Sequence, residues 1–284
     1  MVFTRCKYMG VIMRNIEGIS FSKTEKYSLF LIHELSDEIK EIIRAQLATI
    51  CHGENNVNAG YRMYSYKSTI KEFLRRYKDK PENIQIGMIG ELLVHIIFSN
   101  YFDEYRAVTP YFNLEERSIK KGYDVVLAEV AAPRTLWITE VKSGKLHNNK
   151  NATQTMNDLL GTAKRDLDDR LNKENVSLWM EAISGARASF DDNNTMKEAV
   201  IDVLANWGDA ATDGNYTSGD KNVVLTGVLF SNIVDTVDEI SVGRKQENIE
   251  NEETFNQIYI LAVQKSTYIK VIDFLKEEAT DEEL

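Results

Sequence analysis

The apolar residues of this chain change their period from segment to segment, and that change predicts its elements. Leu29-Phe30-Leu31-Ile32 is a continuous apolar run inside residues 26–35 and reads as a buried strand. Ser36-Asp37 then opens a helix in which Leu35, Ile39, Ile42, Ile43, Leu47 and Ile50 fall at helical spacing. Residues 68–77 read as a second helix, this one basic. Beyond Pro81, residues 83–98 form a strongly apolar helix and 105–112 a short strand. Strands follow over 123–130 and 136–143, joined by a turn through 131–134. An amphipathic helix covers 154–171, with further helices over 176–190 and 195–207. Residues 208–221 read as a polar loop rich in turn residues, then strands over 223–230 and 257–264 and an acidic, fraying tail over 276–284. That order fits an α/β (α+β) fold, a mixed sheet flanked by helices. Pro81 divides it into an N-terminal α/β extension, 1–80, and a core with a helical insertion, 81–284.

With 284 residues, 43% apolar and 27% charged, the composition is that of an ordinary soluble globular chain. No stretch is expected to approach the ~20 apolar residues of a membrane helix. The first seven residues lack the apolar core of a signal peptide. Cys6 and Cys51 make neither a disulfide framework nor a CxxC, so a reducing cytoplasm is the expected home. No glycine-rich phosphate loop is present, so ATP is not an expected ligand. Net charge −10 changes the picture more. Affinity for nucleic acid comes mostly from Lys and Arg neutralising phosphates. A local basic groove or a partner must therefore supply any such grip.

Candidate chemistry concentrates at three places. Glu140-Val141-Lys142 ends an apolar strand, and the period of two puts Glu140 and Lys142 on one face. A carboxylate that holds a divalent cation, beside a lysine that steadies a phosphate or activates water, suits metal-assisted hydrolysis. An ordinary ion pair at a strand end is the alternative. Asp124 begins the preceding strand, where a tight turn can bring it to Glu140, or it simply ends a turn after Gly122. Glu91 lies in an apolar helix with Gly87 and Gly90, small residues that allow close packing beside a costly buried acid. Alternatively Gly87, Glu91 and His95 form one wet stripe.

Together, an acid in a helix, then Asp124 and Glu140-x-Lys142 across two strands, then an amphipathic helix, resemble the PD-(D/E)xK nuclease superfamily. The match covers about residues 83–175 plus 223–230, and departs where Tyr123 stands in place of a frequent Pro. Ile89-Gly90-Glu91-Leu92-Leu93, Gly122-Tyr123-Asp124-Val125-Val126 and Glu140-Val141-Lys142-Ser143 more closely resemble the HamA family, nuclease subunits of the Hachiman antiphage system. The resemblance implies a restriction-endonuclease-like core. It implies that Asp124, Glu140 and the Val141 carbonyl hold Mg²⁺ or Mn²⁺, with Glu91 as further ligand or water-orienting base and Lys142 as catalytic lysine. It also implies DNA as substrate and a HamB-like helicase as partner. Residues 1–80, together with the helices between Val176 and Trp207, are the expected docking segments, because the nuclease core can be written without them and 1–80 is too apolar and patterned to be a tail. A non-catalytic recruitment subunit and a restriction-type or RNA-directed nuclease are the alternatives. Gln154 is either a substrate contact or a helix cap. Lys145, Lys150, Lys164, Arg165 and Arg170 form either a phosphate track or a solvated face. The four histidines show no zinc-like spacing.

Overall fold

The computed structural model describes residues 15–112, 122–173, 175–191 and 193–280. Among these residues seven strands form one mixed sheet, in the order β1-β2-β7-β6-β5-β4-β3. These are β1 (Ile19–Lys23), β2 (Tyr27–Ile32), β3 (Tyr105–Ala107), β4 (Val125–Glu129), β5 (Leu136–Lys145), β6 (Asn222–Phe230) and β7 (Gln257–Lys265). Strands β5, β6, β7 and β2 run parallel, while β1, β4 and β3 are antiparallel to their neighbours. Strands β6 and β7 are apolar and buried almost throughout, the pattern of strands covered by helices on both faces.

On one face lie α1 (Asp37–His52), α3 (Tyr66–Lys78), α4 (Glu82–Tyr101) and α9 (Ile269–Thr280), sharing a core with Trp137, Val228 and Val263. On the other lie α5 (Ala152–Leu171), α6 (Val176–Ser189), α7 (Lys197–Thr212) and α8 (Glu239–Glu250), packed with Leu136, Ile138 and Leu225. A short helix, α2 (Glu54–Asn58), follows α1. The alternation along β5 is decisive for function: odd residues face α4, even residues face α5.

Several expectations shift. The loop expected from 208 shortens, because α7 continues through Thr212. The acidic tail is helical up to Thr280, since α9 buries Val271, Ile272, Phe274 and Leu275; 281–284 lie outside the described residues, as does Cys6. Over 105–112 only Tyr105–Ala107 is strand. Helix α4 does reach membrane length and apolarity, but 72% of its apolar window is buried in the fold, as a core helix. Pro81 is the N-cap of α4, and the segment before it supplies β1 and β2 to the same sheet, β2 pairing with β7 from Tyr27↔Ile260 to Ile32↔Lys265.

Two glycines of α4 differ in what they allow. A Cβ on Gly90 would lie 1.9 Å from Ser143 Oγ and 2.8 Å from Ser143 Cβ, whereas one on Gly87 meets nothing within 4 Å. Gly90→Ala is therefore expected to destabilise by about 1–3 kcal/mol through overpacking against β5. Gly87→Ala is expected to stabilise by roughly 1 kcal/mol through helix propensity. Denaturant midpoints of the two variants should move in opposite directions.

Candidate active site where strand β4 begins

Strand β4 pairs with β5 only from Val125↔Thr139 to Ala128↔Leu136, whereas β5 stays paired with β6 as far as Lys145↔Phe230. Residues 140–145 thus have one strand edge beyond the reach of the β4 backbone. Asp124, the residue before β4, covers part of that edge: its Oδ2 accepts from the Val141 N–H at 2.7 Å. The N–H and C=O of a strand residue share an edge. The Val141 carbonyl therefore opens onto the same notch.

Asp124 lies just before β4, and its charge acts on the Glu140 carboxyl, so the two carboxylates are neighbours. Glu140 is fully buried. Its Oε1 accepts from Lys142 Nζ at 2.7 Å and from Arg170 Nη2 at 2.9 Å. Its Oε2 is buried with no hydrogen-bond partner among the described residues. Lys142 also pairs with Asp166 at 2.8 Å, and Arg170 reaches the Gly122 carbonyl at 3.3 Å. One arginine on α5 thereby ties the entry of β4 to the carboxylate on β5.

The charges follow from this packing. Burial, then the nearby Asp124 charge, pushes the Glu140 carboxyl up to about 7, against the pull of Arg170 and Lys142. Burial alone would depress the Lys142 ammonium, but Glu140 and Asp166 together outweigh it and hold it above its ordinary value. Lys142 is a cation here, suited to stabilising charge and not to accepting a proton.

The structure brings Asp124, Glu140, Val141 and Lys142 together as the spacing suggests, and treats Glu91 differently. Helix α4 covers the odd-numbered face of β5, with Gly90 against Ser143 and Val228. Glu91 and His95 are both buried, so the wet stripe does not exist. Glu91 and Asp124 both act electrostatically on Tyr111. Among the described residues no three His, Cys, Asp or Glu side chains come close enough to hold a metal ion. Sequence spacing alone does not say which face of a sheet a helix will cover.

Gln154 is the third residue of a capping box with Asn151, which accounts for it as a helix cap. The suggested track is paired within the fold: Lys145 with Glu82, Lys150 with Asp158, Lys164 with Glu252 and Arg170 with Glu140, while Arg165 bonds Thr162. His33 bonds Ser20, His52 bonds Thr69, His147 bonds Asp158, and His95 stands edge-on to Tyr111. Two site residues escape a reading of motifs: Asp166 and Arg170, one turn apart on α5 and flanking the buried Leu167. That i, i+4 placement beside an apolar position was the available signal.

A protein-family model described as HamA matches residues 15–279, nearly the whole chain. No curated protein matches it.

Proposed function

The chain belongs to the HamA family of Hachiman defence proteins, and from that premise we propose that it is a metal-dependent nuclease of the PD-(D/E)xK type, acting on DNA with a helicase partner. The observation that carries this reading is the buried Glu140 Oε2, an acceptor with no partner among the described residues, close enough to Asp124 for its charge to be felt. Leaving such an acceptor unsatisfied in a folded core is costly. A divalent cation would satisfy it.

The residues present fit that ion. Two carboxylates and a backbone carbonyl, completed by water and substrate oxygens, are the donors Mg²⁺ typically takes. Asp124, Glu140 and the Val141 carbonyl would hold it, with Glu91 as further ligand or water-orienting base. When bound, the ion would polarise the phosphodiester and lower the pKa of a water at the scissile phosphorus. Lys142, held as an ammonium, stabilises the negative charge that builds on the phosphate oxygens. Arg170 shares Glu140 Oε1 with Lys142 and so leaves Oε2 free to turn to the notch. Neither cation is the base.

Cleavage of plasmid DNA by the chain with its partner is expected with Mg²⁺ or Mn²⁺ and to stop in excess EDTA; full activity in chelator would contradict the reading. Arg170→Ala is expected to lower metal affinity and cleavage by about 10–100-fold, the range for residues that orient a metal ligand. Arg170→Lys restores charge without the two-pronged contact and should recover only part of it. Calorimetric titration with Mn²⁺ separates the two effects.

A further inference from the structure

We propose that the cavity beside the entry of β4 is a subsite for one unpaired nucleobase of the substrate strand, which makes single-stranded DNA the form that is cut; this rests on the nuclease reading given above. The cavity holds about 170 Å³. That is below the roughly 300–1,000 Å³ of sites that enclose drug-sized ligands, so it takes one ring system and not a base pair. Its wall is aromatic: Tyr64, His52, Phe112 and Tyr111 follow one another at ring-centroid separations of 5.1, 5.3 and 5.5 Å. Every base has a π-face that stacks on such rings. Tyr111 and Phe112 belong to the core on the α4 side, Tyr123 and Ala182 to the core on the α5 side, so the cavity joins the two and is not confined beneath one face.

Direct contacts tie the cavity to the notch. Gly122 lines it, and the Gly122 carbonyl accepts from Arg170 Nη1 at 3.3 Å, the arginine whose Nη2 holds Glu140 Oε1. Tyr123 lines it too and immediately precedes Asp124. The charges of Arg170 and Glu140 act on the Tyr123 hydroxyl, and that of Asp124 acts on Tyr111. A base seated against these residues leaves its own sugar and phosphate beside Asp124.

Two polar groups of the lining have work left to do. The Tyr123 hydroxyl is buried with no hydrogen-bond partner among the described residues, a costly state that the polar edge of a base relieves. Glu181, on α6, makes no hydrogen bond or ion pair among the described residues. Its side chain stands over Gly122, where a Cβ would come within 3.2 Å of Glu181 Cγ. A carboxylate at this point repels phosphate but accepts from an exocyclic amino group. Bases that carry one, cytosine, adenine and guanine, are thereby favoured over thymine. His52 is held neutral by burial and by Arg76, so it offers a ring without a charge.

The test uses the full chain with Mg²⁺ at low salt, in a Glu140→Gln background so that the probe survives. The probe is a single-stranded DNA oligonucleotide carrying one 2-aminopurine, whose fluorescence falls when the base stacks on an aromatic ring. The variants are Tyr64→Leu and Glu181→Ala, both at half-buried rim positions where the fold should tolerate them. The parent chain should quench the probe, and Tyr64→Leu should weaken binding by about 5–150-fold, the range for one base–aromatic stack. A duplex probe should be quenched far less, because its base must first unpair. Glu181→Ala should remove the preference for oligocytidine over oligothymidine competitors. Quenching that is the same in the parent and both variants, or the same for duplex and single strand, would overturn the proposal. So would binding of free deoxycytidine without quenching of the strand, which would make the cavity a small-molecule site. A wild-type chain that, assembled with its partner, never cuts DNA while the probe is still quenched through the cavity would support the subsite and overturn the nuclease reading.

Discussion

Glu140→Gln and Lys142→Ala should both abolish cleavage while moving stability in opposite directions. Each removes a group proposed to act on the reacting phosphate, and a loss on the order of 10³-fold corresponds to about 4 kcal/mol of transition-state stabilisation. Stability separates them. The Glu140 carboxyl is raised from its ordinary value of 4.5 to about 7 by burial and by Asp124. Between those values the folded chain holds a proton that the unfolded chain has released. Stability from this group is therefore intact below about pH 4.5, falls as pH rises, and is fully lost above about pH 7. One pK unit is worth about 1.4 kcal/mol, so the penalty at pH 8 without metal is on the order of 3 kcal/mol.

Glutamine keeps the acceptor toward Lys142 and Arg170 and removes the charge that opposes Asp124. The metal-free Glu140→Gln protein should melt several degrees higher at pH 8, at about 2–4 °C per kcal/mol for chains approaching this size. The gain should shrink as pH is lowered toward 5. Lys142→Ala removes one of the two cations that neutralise a fully buried carboxylate, so it should melt lower. Scanning calorimetry in excess EDTA reads both signs; a Glu140→Gln protein less stable at pH 8 would show that the carboxylate is not under electrostatic strain.

The second large effect expected is dependence on a partner. At net charge −10 the long-range field of the chain repels DNA. Many of its cations are committed to internal pairs, and any phosphate contact weakens steeply with salt. The isolated chain should bind and cut DNA poorly near physiological ionic strength. A translocating helicase that tethers it to the same DNA would turn a weak encounter into an intramolecular one. Gains from such tethering run to about 10²–10⁴-fold. Cleavage rates at low DNA concentration, measured at rising salt with and without the recovered partner, should differ by that order. Tight binding and rapid cutting by the chain alone would show that the grip lies elsewhere.

The N-terminal segment remains a candidate for docking that partner, but its place in the sheet limits how this can be tested. Removing residues up to Pro81 would strip β2 from β7 and open the core that Phe30, Ile43 and Phe73 share with α4. Exposed substitutions are the informative variants.

The sequence reveals elements whose burial follows a period, and hides those whose burial is partial. Helices α1 and α5 and strands β5 and β6 declare themselves because each buries one regular stripe or a continuous run. Strand β1 is half-exposed at the sheet edge, and two of the four residues that α8 buries are Gly243 and Gln246, so neither shows a regular apolar stripe. In the site, Glu140 and Lys142 are legible because a strand's period of two fixes their common face. Arg170 is barely so, because its role depends on how α5 crosses β5, and its i, i+4 spacing from Asp166 is a weak local mark. Glu91 shows the converse: its burial is legible, yet the face it serves was set by Gly90 packing on Ser143.

The most direct measurement is plasmid cleavage by the wild-type and Lys142→Ala chains, each assembled with the native partner, in Mg²⁺ and in excess EDTA. A metal-dependent phosphodiesterase at this notch requires the wild-type complex to cut only with Mg²⁺. The Lys142→Ala complex, still folded and still bound to its partner, should cut under neither condition. Cutting by Lys142→Ala at the wild-type rate, or by the wild type in EDTA, would contradict it.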